Sequence, residues 1–137
     1  MNKINKWVES LDNQDLGKLF LRVALGVVFV YAGWFKIQNI EMVITGFGTI
    51  GIPVWLAYFV SYVEFILGIL MIAGYWVRHA GILFAIIMAV AIYKVSGQNG
   101  FSLATQGYEY NLVLLLMALA ITTLGAGKHI LARLIKK

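Results

Sequence analysis

Three ionisable side chains lie inside or at the edge of long hydrophobic runs: Arg22, Glu64 and Glu109. A charge at the centre of a bilayer is costly unless it is paired or hydrated, so such groups mark proton relays, ligand counter-ions or buried locks. Glu64 follows Val54 by ten residues, about 15 Å along a helix starting there, and its polar near neighbours are Ser61 and Tyr62. A carboxylate at that depth needs a partner. Arg22 enters from the opposite leaflet with a side chain long enough to extend toward the midplane, so an Arg22–Glu64 pair is expected, with Ser61 beside it. The spacing agrees with facing stripes. Arg22, Gly26, Phe29, Gly33 and Lys36 recur at four-three-four-three intervals, and Ser61, Glu64, Gly68 and Met71 share a second helical face. Both stripes combine charge with glycine, which permits close helix approach. Gly26, Gly33, Gly68 and, on a third segment with Ala85 and Ala89, Gly81 are the expected packing positions.

A second polar group lies at the ends of these runs. Glu109 opens an apolar stretch beside Tyr108, Tyr110 and Asn111, where a carboxylate in a first helical turn also complements the helix dipole. Lys36 and Lys94 close two other stretches and are positioned to neutralise it. Together Lys36, Lys94, Tyr108, Glu109, Tyr110 and Asn111 form an expected polar, aromatic mouth above Glu64. His79 and His129 lie in a loop and in a basic tail, and no His, Cys and carboxylate cluster has metal-ligand spacing. The chain has no cysteine, which excludes thiolate, disulfide and iron–sulfur chemistry by its own side chains. No glycine-rich segment has the strand-turn-helix context of a nucleotide site.

The elements that must position these groups follow from composition. Of 137 residues 61% are hydrophobic and 12% charged, with mean hydropathy +0.85, against about 45–50% apolar and about 25% charged in soluble domains. Such a chain cannot coat a soluble domain of this size with polar groups, so its solvent is lipid. Scattered glycines and a single proline fit membrane helices better than a turn-rich barrel. Four spans are expected, at about 19–35, 54–77, 80–95 and 109–124, in a single all-α domain over 1–137: an integral membrane four-helix bundle. The first 18 residues, with Trp7, Val8 and Leu11 at helical spacing, are expected at the membrane surface. Gly46, Gly48, Gly51 and Pro53 are expected to limit the stretch before the second span to a turn or two at Ile40 to Ile44.

Four spans leave both termini on one side. That side carries Lys3, Lys6, Lys18, Arg78, Lys128, Arg133, Lys136 and Lys137, against Lys36 and Lys94 on the other, which makes it the cytoplasmic side. Trp34, Trp55 and Tyr108 then fall at the outer interface and Tyr75 and Trp76 at the inner one. The net charge of +5 is accounted for by orientation on anionic lipid, with no nucleic-acid partner.

The segments LRVALGVVFVYAGWFKI, FGTIGIP, VEFILGILMIAGYWVRHAG and GYEYNLVLLLMALAITTLGAGK resemble, in collinear order, the DoxX family of small four-helix membrane proteins. The likeness runs from about Leu21 to Lys128. It implies a bacterial or archaeal cytoplasmic membrane and an association with redox chemistry, since the broader group includes a subunit of thiosulfate:quinone oxidoreductase. By position, the family's characteristic residues fall on Arg22, Gly33, Lys36, Glu64, Gly68, Gly74, Arg78, Glu109 and Gly127. Relatives that work through paired cysteines cannot lend their mechanism to this chain. Two functions are weighed. One is a quinone-interacting or redox-associated subunit, with membrane quinone as its ligand and a redox subunit or a second copy of the chain as its partner. The other is a non-enzymatic membrane scaffold or anchor in which the buried charges lock the bundle. A proton-coupled transporter ranks last, because no inverted repeat relates the two halves.

Overall fold

The computed structural model describes residues 2–135. Met1, Lys136 and Lys137 of the basic termini lie outside that range. The described residues are helical, with no strand among them: α1 (Lys3–Glu9), α2 (Gln14–Gln38), α3 (Ile40–Thr49), α4 (Val54–Ala73), α5 (Val77–Lys94), α6 (Glu109–Leu124) and α7 (Leu131–Ile135), with two 3₁₀ turns between α5 and α6. Three of them, α2, α4 and α5, are long and apolar enough to cross a membrane, and α6 is a shorter apolar helix.

Helix ends follow local chemistry. Asn13 caps α2 by accepting from the Leu16 amide at 3.0 Å, so the helix starts at Gln14, ahead of the expected Leu19, and its 25 residues extend about 37 Å. Pro53, with no N–H to leave unpaired, precedes α4. Gly74 ends α4 in the left-handed conformation, φ 96°, which stops the helix at Ala73 rather than at the expected Val77. The stretch after α2 is also longer in helix than expected. Gly46 and Gly48 lie inside the ten-residue α3, since glycine costs a helix only about 1 kcal/mol relative to alanine.

Two helix pairs pack tightly, α2 along α4 and α5 along α6, and the pairs meet more sparsely through α2–α6 and α4–α5. The tight seams are made by glycine. A methyl group added at Gly33 would run into the Phe65 backbone and come 2.8 Å from the Ser61 carbonyl oxygen; one at Gly26 would come 2.8 Å from the Gly68 carbonyl oxygen. Gly81 sits equally close to Thr122 and Ala118 across α5–α6. The pairs are joined at the centre by Phe29 and Phe84, both fully buried and stacked with ring centroids 3.8 Å apart. Outside this core the helices expose Phe20, Val27, Tyr31, Phe59, Ile66, Ile86 and Leu116, a surface suited to lipid.

The seams make one contrast measurable. Gly33→Val should lower bundle stability in mild detergent by about 1–3 kcal/mol through overpacking, whereas Gly46→Ala, which meets nothing within 4 Å, should be neutral or stabilising by up to about 1 kcal/mol. Thermal unfolding of the two variants beside the parent protein reads the difference.

Candidate functional site

The face predicted on α2 is buried: Arg22, Gly26, Phe29 and Gly33 all turn inward, as do Ser61, Glu64, Gly68 and Met71 on α4. The charges on these faces pair otherwise than expected. Glu64, wholly buried, is bound by Lys36: the amine lies 2.8 Å from one carboxylate oxygen and 2.9 Å from the other. Among the described residues this is the one ion pair, with the Lys36 side chain 27% exposed and Glu64 at 0%.

Arg22 makes no bond to Glu64. Its guanidinium donates to four backbone carbonyls: Nε to Met71 at 3.0 Å, Nη2 to Ile72 at 2.7 Å, and Nη1 to Ala126 at 2.9 Å and His129 at 2.6 Å. The early end of α4 is the reason. The last carbonyls of a helix have no partner within it. The Leu70 oxygen is taken by the Gly74 and Tyr75 amides, and those of Met71 and Ile72 turn to Arg22. In the antiparallel pair Gly26 meets Gly68 and Gly33 meets Ser61 and Phe65, so Arg22 lies beside the last turn of α4, two turns from Glu64. A cation at a helix C-terminus is also favoured by the dipole. Gly74 is required here twice, by its φ and because a Cβ would come 3.1 Å from Arg22 Nη2. Beside this junction Asp15, in the first turn of α2, accepts from the Lys128 amide at 3.1 Å and ties the chain after α6 to the start of α2.

Ser61 is fully buried, but its hydroxyl donates to the Ala57 carbonyl of its own helix at 2.7 Å. The expected outer mouth divides in two. Tyr108, Glu109 and Asn111 organise the connection before α6. Glu109 accepts from the Leu103 amide at 2.6 Å, Asn111 donates to the Ser96 hydroxyl at 2.9 Å, and Tyr108 packs edge-on against Phe101. Glu109 forms no ion pair with Lys36 or Lys94, because Glu64 takes Lys36 and a nearby free amide satisfies Glu109 itself. The other three residues face openings. Lys36 and Tyr110 border a shallow cleft of about 480 Å³ between α2 and α6, with Val27, Tyr31 and Phe35. Lys36 and Lys94 border a more enclosed cavity of about 270 Å³ among α3, α4 and α5. One lysine thus holds the buried carboxylate and lines both openings. No group of three or more His, Cys, Asp or Glu side chains among the described residues could hold a metal ion.

Sequence reasoning missed Lys36 as the partner of Glu64, although aligning the glycines of the two stripes antiparallel brings Lys36 nearer than Arg22. The carbonyl partners of Arg22 carry no side-chain signal.

The family model described as DoxX matches residues 17–97. A Bacillus subtilis protein named "Putative oxidoreductase CatD" is 36% identical over 108 residues, covering 79% of this chain and 80% of that protein. A Haemophilus influenzae protein named only "Uncharacterized protein" is 34% identical over 74 residues, covering 54% of this chain and 49% of that one. No solved structure matches significantly.

The clamp on Arg22 yields a direct test. Lysine keeps the charge but presents one compact ammonium where a planar fork reaches four carbonyls. Arg22→Lys should cost about 2–4 kcal/mol, as for other buried networks left part-satisfied, and expose residues 126–135 to limited proteolysis ahead of the rest. Unchanged cleavage at that segment would show that the clamp does not hold it.

Proposed function

This chain belongs to the DoxX family, and on that premise we propose that it is a multi-pass membrane subunit whose buried Lys36–Glu64 pair serves a membrane quinone. One observation carries the reading: the lysine whose amine binds Glu64 also lines two mostly apolar openings. An ammonium has three N–H donors. Glu64 occupies two, and the third is free for an acceptor in either opening. The pair is neutral as a unit, which suits a neutral carbonyl acceptor, and mostly apolar walls with a few placed polar groups are the usual character of small-molecule sites. Lys36 orients the ring and holds a proton at its carbonyl oxygen, while Glu64 fixes the amine and balances its charge. Quinone supplies the electron-accepting chemistry when bound. The side chains of this protein supply hydrogen bonds and protons, and a partner redox subunit delivers the electrons. The oxidoreductase name borne by the Bacillus subtilis relative agrees with this reading.

In this proposal the chain crosses the plasma membrane of a bacterium or archaeon four times, with α6 as the fourth span and both termini cytoplasmic. Two contacts support it. Tyr110, in the first turn of α6, borders the same cleft as Lys36 near the end of α2, and the carbonyls just after α6 bind Arg22 near the start of α2. The helix therefore runs beside α2 through the same layer, and its 16 residues cover about 24 Å. The excess of Lys and Arg at the end holding the termini orients the bundle. The scaffold reading has one observation in its favour, the Arg22 clamp, whose four bonds all go to the protein's own backbone. We assign that residue a structural role and keep function at Lys36 and Glu64.

The test is to purify the protein in mild detergent, extract bound lipid and quantify quinone. The parent protein should retain it, and the Lys36→Met, Glu64→Gln double variant, which removes both charges together, should lose at least about tenfold, equivalent to about 1.4 kcal/mol. Parent protein that neither retains quinone nor binds an added decyl-tailed benzoquinone contradicts the proposal.

A further inference from the structure

The two openings at Lys36 are not equivalent. The α2–α6 cleft is shallow, faces the lipid side and offers Lys36 and Tyr110. The cavity in the sparsely packed α4–α5 seam is more enclosed. Its walls are apolar, from Phe47 of α3, Leu56 and Val60 of α4 and Ala91 of α5, and the two amines of Lys36 and Lys94 are its charged groups. Lys94 has no ion-pair partner among the described residues. A second opening adjoins this cavity: a groove of about 440 Å³ along α4 and α5, past Tyr62 and Ile66, lined without charged residues. The two share Phe59 and Leu83. The seam therefore sets a compact chamber bordered by two lysines beside an open apolar groove along the bundle.

We infer that the α4–α5 seam, and not the α2–α6 cleft, is the quinone site, with the ring in the chamber between Lys36 and Lys94 and the isoprenoid tail in the groove beyond Phe59 and Leu83. This rests on the quinone reading above and adds the location and a second binding residue. Shape and charge both carry it. An amphiphile with a flat polar ring and a long apolar tail needs a small chamber with donors that opens onto an apolar groove, and the seam has that order. Lys94 has no ion-pair partner among the described residues, so its charge would stabilise an anionic ring oxygen once a partner redox subunit had delivered the electrons, while the neutral Lys36–Glu64 pair would meet the other carbonyl. Lys94 is thus a binding residue at the rim, and α3, through Phe47, forms one wall.

Selective filling of each opening tests this. Ala91→Phe fills the chamber and Ala32→Phe fills the α2–α6 cleft. Lys94→Met, at an exposed helix end, removes the second donor and does not depend on core packing, so it stands alone if Ala91→Phe unfolds. Each protein is placed in nanodiscs of neutral phosphatidylcholine and titrated with a decyl-tailed benzoquinone, with binding read from tryptophan quenching and folding from thermal unfolding. Ala91→Phe should weaken binding at least about tenfold and Lys94→Met about threefold or more, with Ala32→Phe within about twofold of the parent protein. Loss with Ala32→Phe, whether alone or equal to that with Ala91→Phe, overturns the seam assignment and leaves the quinone function standing. A phospholipid retained in the seam that the quinone does not displace overturns it equally. No binding by the parent protein fails the quinone function itself.

Discussion

The fold depends on the rule that a charge carried into an apolar bundle must find its partner inside the protein. The α2–α4 pair obeys it at both ends of one seam. At one end Lys36 closes on Glu64; at the other Arg22 collects the carbonyls that α4 and the chain after α6 leave free. Glycines between them let the backbones approach closely enough for both sets of bonds to form. Without Gly26, Gly33 and Gly68 the helices would separate by about a side chain, and the buried charges would lose their partners. Packing and electrostatics on this seam therefore act as one constraint.

The stripes on α2 and α4 were legible in the sequence, because helical periodicity alone assigns Arg22, Gly26, Phe29 and Gly33 to one face and Ser61, Glu64, Gly68 and Met71 to another. The pairing across them was not. It depends on where α4 stops, and a stop at Val77 instead of Ala73 conceals the free carbonyls of Met71 and Ile72. With those carbonyls hidden, the one visible partner for Arg22 is Glu64, and Lys36 is left to neutralise Glu109. The left-handed Gly74 was the available signal. Glu109 and Asn111 stand at the right end of the bundle, but their partners, the Leu103 amide and the Ser96 hydroxyl, belong to an irregular connection that periodicity does not describe. The openings were beyond sequence reasoning, since they arise from how loosely two pairs of helices meet.

That loose meeting is where the proposed site lies. Glycine seams pack α2 closely on α4 and α5 on α6, while the sparse α4–α5 and α2–α6 contacts leave openings between the pairs. Lys36 reaches both spaces because Glu64 holds its amine at the boundary between them. In the proposed reading, a closely packed pair sets a charged, hydrogen-bonding residue beside a loosely packed seam, where a lipid-soluble ligand would bind. In the function proposed for this chain, which has no cysteine, a bound cofactor or a partner would carry the electrons, while proton handling and ligand orientation would stay with the bundle.

Lys36 and Glu64 act as one unit, and a double-mutant cycle on unfolding free energy in a bilayer-like detergent tests this most directly. If they do, Lys36→Met alone should cost about 3–5 kcal/mol by leaving Glu64 buried without its partner, Glu64→Gln alone should cost less because Lys36 is 27% exposed, and the double variant should lie close to the parent protein. Costs that simply add, or single variants as stable as the parent protein, would contradict the account.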